Sequence, residues 1–407
     1  MKFVKFKGNY IIIPSIIIYA FFVNWISANL GVMPIDTFAF FDTGFSILKN
    51  KLPIRDFWIF TGIIVDYFQA LFFWLFGETW KSYVFHACIL NIIASLTFYF
   101  FLQELKLNKI YSFFYVISFA TLCYPVSGTP FAYLHSYIFS LISIFLTCIL
   151  LKKNNTAMWC FLPVFFFLAF FSMQTPSAYI ILILSFFSFY HFFSKKDYKS
   201  LKFFILGCIG CVFFLFFYLF LSKTPLENFI LQYFLFPLSI GSERILSDPT
   251  AYVSLKDKIS FKGLVLDFKF INIFLFSIIG LTIKQFYTQN QNKFSIYNLI
   301  IILSSFAFVF NQLVTANQIY IFSLIPILSS VLHCNIEKMK FNKYFRVLII
   351  ILICFVTIKY HLRYNIERKF LDLENINKKK IQNAGILDSK MNYLKWITPY
   401  HEPKEEL

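Results

Sequence analysis

Long apolar runs, separated by short polar clusters, follow one another along most of this chain. A helix needs about 20 apolar residues to cross the hydrocarbon of a bilayer. Runs of that kind predict spans over 10–30, 82–102, 110–124, 136–151, 157–173, 177–193, 202–222, 268–284, 294–312, 317–332 and 345–360, about eleven in all. Several are short and need flanking residues to complete the crossing. Lys2, Lys5 and Lys7 precede the first run as in a secretory signal, but no small-x-small cleavage site closes it. It reads as an uncleaved anchor.

Two connections are long, 31–81 and 222–267. Within the first, 62–77 (GIIVDYFQALFFWLFG) is apolar but holds Asp66 and Gln69. Counting it as a span would invert every later loop, so a re-entrant or interface-lying helix is predicted there. The expected fold is all-α: a polytopic membrane bundle over 1–360, with a short soluble tail over 361–407. The tail carries a predicted helix over about 362–380. It ends on Pro403-Lys404-Glu405-Glu406-Leu407, a helix-start signature with no helix after it. That points to truncation or a partly missing outer domain. No internal repeat is visible, which weakens an inverted-repeat transporter.

Charge then orients the bundle. With the N-terminus in the cytoplasm, the inner loops carry Lys106 and Lys109, Lys152 and Lys153, then Lys195, Lys196, Lys199 and Lys202. Lys284 and Lys293 follow, then Lys338, Lys340, Lys343 and Arg346. The short outer loops near 125–135, 174–176 and 313–316 carry no Lys or Arg. This is the positive-inside pattern, and an odd number of spans puts the C-terminal tail outside.

Composition agrees with lipid as the solvent. Hydrophobic residues make up 59% of the 407 and charged residues only 14%, against about 25% charged in a soluble domain. The net charge of +17 does not indicate nucleic acid, because the basic residues sit in clusters between apolar runs. The 60 phenylalanines reflect the codon bias of an AT-rich genome and are weak evidence for an aromatic site. Cys208 and Cys211 form a CxxC inside an apolar run and read as packing thiols. The six histidines have no ligand spacing.

Candidate chemistry concentrates in the first long connection. Asp36 and Thr37 follow Pro34-Ile35, then come Phe41-Asp42-Thr43-Gly44, Ile47-Leu48 and Leu52-Pro53-Ile54-Arg55-Asp56-Phe57. Carboxylates beside a spanning segment are costly to desolvate and often functional; taken singly, each is equally what a solvated loop carries. In the second connection, Glu243-Arg244 follows the aromatic Gln232-Tyr233-Phe234, and Lys256, Asp257, Lys258 and Lys262 lie beyond. Arg244 is either a lipid-phosphate contact or part of an ordinary surface helix. Tyr133 and His135, placed in the loop after the third span, are either sugar contacts or solvated loop residues.

The order of these residues resembles the first outer loop of the GT-C class of membrane glycosyltransferases, which includes protein O-mannosyltransferases and lipid A aminoarabinose transferases. Asp36 falls at the first acidic position, Ile47-Leu48 at the apolar pair and Pro53-Ile54-Arg55-Asp56 at the second acidic step. Leu75-Phe76-Gly77 matches the end of the helix that follows. The resemblance covers the first ~100 residues, and the remainder only by topology. It implies an inverting transfer from a polyprenyl-phosphate sugar to a lipid-linked glycan, lipopolysaccharide or protein acceptor. The setting it implies is the outer face of a bacterial inner membrane, with the C-terminus periplasmic.

By that resemblance Asp36 is the general base, with Asp42 second because it too follows the span closely. Asp56 orients the acceptor or the loop, and Arg55, Lys51 and Lys81 are phosphate contacts, as Arg244 would be. There is no DxD to suggest a metal, no cofactor is required, and the expected partners are donor, acceptor and membrane lipid, not nucleic acid. The chain departs from the family at Tyr133, where an acidic residue is common. It departs again at Met173-Gln174-Thr175-Pro176, where many members have a Lys. Either the donor is held differently or activity is low. A transporter or flippase of lipid-linked glycans would need charged residues inside spans, a polymerase would need more outer-loop arginines, and a non-catalytic remnant would need neither.

Overall fold

A computed structural model describes residues 10–30, 37–59, 61–124, 128–153, 155–246, 265–266, 268–287, 294–315, 320–370, 382–383 and 395–396. The first part of the chain forms α1 (Ile12–Ala28), α2 (Ala39–Leu48), α3 (Ile64–Phe76), α4 (Trp80–Glu104), α5 (Lys109–Cys123) and α6 (Ala132–Lys152). A 3-10 turn (Thr156–Cys160) runs into α7 (Phe161–Phe170), followed by α8 (Gln174–Ser194) and α9 (Tyr198–Ser222). Then come α10 (Leu226–Ile230), a π turn (Leu231–Leu235) and α11 (Phe236–Leu246). The last helices are α12 (Lys269–Tyr287), α13 (Phe294–Val314), α14 (Leu324–Lys338) and α15 (Lys343–Phe370). A two-residue antiparallel ladder pairs β1 (Gln382–Asn383) with β2 (Lys395–Trp396).

Seven of these helices, α4, α6, α8, α9, α12, α13 and α15, are long and apolar enough to cross a membrane. The chain is a multi-pass membrane protein. The other four predicted spans also fall on helices, but on shorter ones: α1 has 17 residues, and α5 and α14 have 15 each. The fourth is the 3-10 turn with α7, Thr156–Phe170. At 1.5 Å per residue, 15 residues rise about 22 Å, against hydrocarbon about 30 Å thick. Pro125 stands two residues beyond α5, where a helix cannot easily continue.

Three connections differ from the sequence expectation. The predicted loop over 125–135 ends early, because α6 starts at Ala132. That takes Tyr133 and His135 out of a loop and into a buried first helical turn. The second long connection is helical at its start, through α10, the π turn and α11. Helix α15 runs without a break through His361 to Phe370, and the rest of the helix predicted over 362–380 lies outside the described residues.

Helix α6 occupies the centre, buried along almost its whole length against α4, α7, α8 and α13. Ser136, Ser140, Ser143 and Thr147 repeat along it at three- and four-residue spacing, and small residues let helices approach closely in lipid. Two of these hydroxyls donate back into their own helix, Ser143 to the Phe139 carbonyl and Thr147 to the Ser143 carbonyl, each at 2.8 Å. Helices α9 and α15 are the opposite case. Phe213, Phe216, Phe217 and Phe220 of α9 stand exposed, as apolar residues facing hydrocarbon do.

Buried amides tie the helices together. Asn24 of α1 donates to the Gly128 carbonyl (3.2 Å), and Asn91 of α4 donates to the Ala120 carbonyl of α5 (3.0 Å). Across α13 and α14, Asn298 and Asn335 exchange hydrogen bonds at 3.0 and 3.1 Å, with Gln285 of α12 donating to Asn335 at 2.9 Å.

Gly207 marks the closest approach of α9 to its neighbour. A Cβ there would stand 2.4 Å from the Cys160 carbonyl oxygen, whereas one on Gly210 would meet nothing within 4 Å. Gly207→Ala therefore forces α9 off the 3-10 turn, with an expected loss on the order of 1–3 kcal/mol, while Gly210→Ala is neutral. Thermal unfolding of the two variants in detergent checks this; equal melting temperatures would contradict the packing described.

Candidate functional site

The turn between α2 and α3 is built around Arg55 and Asp56. The backbone folds back so that Pro53 bridges Phe57 and the Ile54 amide donates to the Phe57 carbonyl at 3.0 Å. Ile54 takes φ +72°, an unfavourable conformation for a β-branched residue, so the surroundings must hold it there. Gln232, in the π turn after α10, does this with both ends of its amide. Its Nε2 donates to the Ile54 carbonyl at 3.0 Å, and its Oε1 accepts from the Ile59 amide at 3.1 Å.

Within the turn, Asp56 and Arg55 form a two-pronged pair. Arg55 donates from Nε to Oδ1 (3.0 Å) and from Nη2 to Oδ2 (2.7 Å). The Leu52 amide also donates to Asp56 Oδ2, at 2.7 Å. The guanidinium, and then that amide, hold the Asp56 carboxyl below its ordinary pKa; the same pair raises Arg55. Arg55 Nη1 reaches the Ser222 carbonyl at the end of α9 (2.9 Å), and Nη2 lies 3.4 Å from the Asn50 carbonyl. Of the two roles left open for Asp56, these contacts describe the ordering of the loop.

From this turn an apolar groove of about 670 Å³ runs between α3, α7 and α9. Tyr67, Val164, Phe167, Phe214 and Tyr218 line it, and Gly207 and Gly210 leave room along α9. At one end the Tyr67 hydroxyl donates to Tyr218 at 3.0 Å, one helical turn before Ser222, where Arg55 is anchored. The groove therefore has two hydroxyls at one end and hydrocarbon walls along its length, and Arg55 stands beyond its lining, anchored on Ser222 one helical turn past Tyr218.

Helix α3 carries a second set of polar groups on its buried side. Thr43 of α2 donates to Asp66, and Gly44 lets α2 sit close to Gln69, since a Cβ there would be 2.8 Å from Gln69 Cγ. Burial raises the Asp66 pKa to about 7, against the opposing effect of the Thr43 hydrogen bond. One turn on, Gln69 Oε1 lies 2.9 Å from His86 Nδ1, and His86 Nε2 lies 3.0 Å from His135 Nε2. His135 Nδ1 donates to the Phe131 carbonyl at 2.9 Å.

That last bond fixes the protons. A carbonyl only accepts, so neutral His135 keeps its proton on Nδ1 and offers Nε2 as acceptor. His86 then donates from Nε2, leaving Nδ1 as an acceptor opposite the Gln69 oxygen. The chain closes only if Gln69 turns its NH2 toward His86 or the pair holds a second proton. Gln69 Nε2 has no hydrogen-bond partner among the described residues, which fits the first solution.

The residues singled out in the sequence separate into three groups. Arg55 and Asp56 are brought together, as are His135 with His86 and Tyr133 with Tyr320 (ring centroids 5.5 Å apart). Tyr133 and His135 are corrected from loop residues to buried ones, Tyr133 4% exposed and His135 0%. Asp42, Lys51 and Lys81 are exposed and make no ion pair among the described residues. Asp36 lies outside the described residues, and so does the side chain of Arg244 on α11. Thr37, which follows Asp36, is buried and accepts a hydrogen bond from Tyr83 through its carbonyl. In the turn Met173-Gln174-Thr175-Pro176, Gln174 donates to the Tyr233 carbonyl at 3.2 Å, beside the Gln232 clamp.

Thr43, Gln69, His86, Tyr218 and Gln232 were not anticipated as site residues. The one available signal was the pair of polar residues, Asp66 and Gln69, inside an otherwise apolar helix. Among the described residues, no group of three or more His, Cys, Asp or Glu could hold a metal ion. No family model matches the chain, and no curated protein matches its sequence.

The raised Asp66 pKa has a signed consequence. Folded Asp66 keeps its proton to about pH 7, whereas the unfolded residue loses it near its ordinary 3.8. Its contribution to stability is thus full below pH 4, falls by at most about 1.4 kcal/mol per pH unit as the pH rises to about 7, and is level above that. Asp66→Asn should flatten this part of the stability profile between about pH 4 and pH 7 and be at least as stable as wild type at pH 8. Unfolding midpoints of both proteins in detergent provide the check, and parallel profiles would rule the assignment out.

Proposed function

We propose that this chain is a membrane glycosyltransferase that takes a sugar from a polyprenyl-phosphate donor on the outer face of a bacterial inner membrane. The observation that carries the reading is the groove between α3, α7 and α9, with its apolar walls, and the Arg55 guanidinium anchored on Ser222 one helical turn beyond its Tyr67–Tyr218 end. A polyprenyl chain needs such walls, and its phosphate needs a cation capable of paired hydrogen bonds. The resemblance of the loop from Asp36 to Asp56 to the GT-C class supplies the reaction.

In this reading all eleven apolar helices cross the membrane, the four shorter ones with help from flanking residues. The N-terminus is cytoplasmic and the C-terminus periplasmic. Helix α3, whose 13 residues rise about 20 Å, lies at the interface within the first outer loop. Lys195, Lys196, Lys199 and Lys202 cluster around the start of α9, while Arg55 binds its other end. By the positive-inside rule this supports an outer position for the Arg55 end. Charged side chains of the seven long helices sit near the helix ends, which favours a transferase over a flippase with a charged pathway.

The acceptor hydroxyl oxygen attacks the anomeric carbon as the bond from that carbon to the phosphate oxygen breaks. The polyprenyl phosphate leaves with the bonding electrons, and a carboxylate takes the hydroxyl proton. Asp36 is the base in this scheme and Asp42 the second candidate. The acceptor is a lipid-linked glycan, lipopolysaccharide or a protein. Arg55 faces the leaving phosphate, with Lys51, Lys81 and Arg244 as further cations of the same loops.

Transfer from radiolabelled polyprenyl-phosphate hexoses in proteoliposomes is the test. Asn at the position of the base, in Asp36→Asn or Asp42→Asn, should lower the rate by about 10²–10⁴-fold. Arg55→Lys should weaken donor binding more than it slows turnover at saturation, since Lys loses the paired contact. Wild-type rates in both Asp variants, with normal folding, would remove the general base from the scheme.

A further inference from the structure

The opposite end of α9 holds a second cavity that the transfer reaction does not use. It encloses about 600 Å³ among the last turns of α6 and α8 and the first turns of α9 and α13. Helix α9 has 25 residues, so roughly 37 Å separates this cavity from Arg55. Five lysines line it, Lys152, Lys153, Lys195, Lys196 and Lys199, against one carboxylate, Asp197.

The two nearby carboxylates have partners of their own. Asp197 caps α9 by accepting the Ser200 amide at 3.1 Å, and its other oxygen lies 3.9 Å from His191 Nε2. Glu104, from α4, pairs with Lys152 and Lys153. Lys195, Lys196 and Lys199 are exposed and make no ion pair among the described residues. Among the described residues, five lysines thus line one concave space with a single lining carboxylate, Asp197, and three of them make no ion pair.

The remaining lining is apolar. Phe187, Tyr190 and Ile296 share the cavity with the lysines, and Phe186, Tyr190 and Phe193 continue outward from it as an exposed stripe on α8. A small inorganic anion would satisfy the ammonium groups but leave the apolar half without an occupant. A molecule with a phosphate joined to hydrocarbon fits both halves. Basic pockets between spanning helices at the lysine-rich side are where anionic head groups bind.

We propose that this cavity binds the phosphate of an anionic phospholipid, with Lys195, Lys196 and Lys199 on the head group and an acyl chain along α8. The site is independent of the glycosyltransferase reading: it needs neither a donor sugar nor the Asp36–Asp56 loop.

The test uses the full chain in nanodiscs, titrating phosphatidylglycerol into phosphatidylcholine and following melting temperature, with native mass spectrometry counting retained lipids. Each lysine near an anionic surface changes affinity by roughly fivefold. The triple variant Lys195→Gln/Lys196→Gln/Lys199→Gln should therefore bind phosphatidylglycerol about a hundredfold more weakly. Its Arg counterpart should keep most of the affinity and shows that the fold survives change at these positions. Lys340→Gln/Lys343→Gln, one in the connection after α14 and one at the first residue of α15, should bind as wild type does. Unchanged affinity in the triple Gln variant would overturn the site, and so would an equal loss in the Lys340/Lys343 control. Inorganic phosphate, added in phosphatidylcholine alone, should stabilise the protein far less. Binding as tight as that of phosphatidylglycerol would overturn the lipid assignment.

Discussion

Inside hydrocarbon no water is available, so each polar group buried between these helices has to find its partner in the protein. The bundle meets this constraint in two ways. Hydroxyls such as Ser143 and Thr147 return to their own helix backbone, which leaves the packing surface apolar. Amides such as Asn24, Asn91, Asn298 and Asn335 instead reach across to a neighbour. Since apolar contact alone gives little preference between protein and lipid, these few crossings fix which helices lie together. Helix α6, the most buried, has its small residues where its neighbours press closest.

The same constraint shapes the loop that carries the candidate chemistry. Its strained Ile54 and its Arg55–Asp56 pair stay in place because Gln232, far away in sequence, holds the turn at both Ile54 and Ile59. Gln174 makes a parallel tie from the start of α8 to Tyr233. Among the described residues, the two long connections, one before α4 and one after α9, meet through the Gln232 amide on the backbone of Ile54 and Ile59 and through the Trp58–Phe236 ring contact. On the buried side of α3, Asp66 and Gln69 lean on Thr43 and His86, so a helix too short to cross is anchored from beneath.

The class of the molecule was legible in the sequence because lipid imposes a one-dimensional signal. Apolar length alone found the seven long helices, whereas the predicted span 317–332 is helical only from Leu324. Exact ends were harder to read, since they depend on local turns such as the one that starts α6 at Ala132 and buries Tyr133 and His135. Arg55 reads from the sequence as a phosphate contact and Asp56 as orienting the acceptor or the loop, but their mutual pairing and the carbonyl of Ser222 belong to the fold. The clamp by Gln232 was invisible, because the 173 positions between it and Ile59 leave no trace in local pattern. His86 seemed unremarkable as one of six scattered histidines, yet the chain returns it to His135 across 49 positions.

The anchoring of Arg55 bears on any anion that approaches the groove. Its guanidinium already serves Asp56, Ser222 and Asn50, so an arriving phosphate meets a competitor rather than an idle cation. Binding then amounts to an exchange of one anion for another, and its strength is a difference between two ion pairs. An exchange of this kind also has a structural by-product. Asp56, once released, would keep only its bond from the Leu52 amide, and the turn between α2 and α3 would lose its internal brace as the groove fills. Occupancy of the groove and order of the acidic loop would be two readings of a single equilibrium.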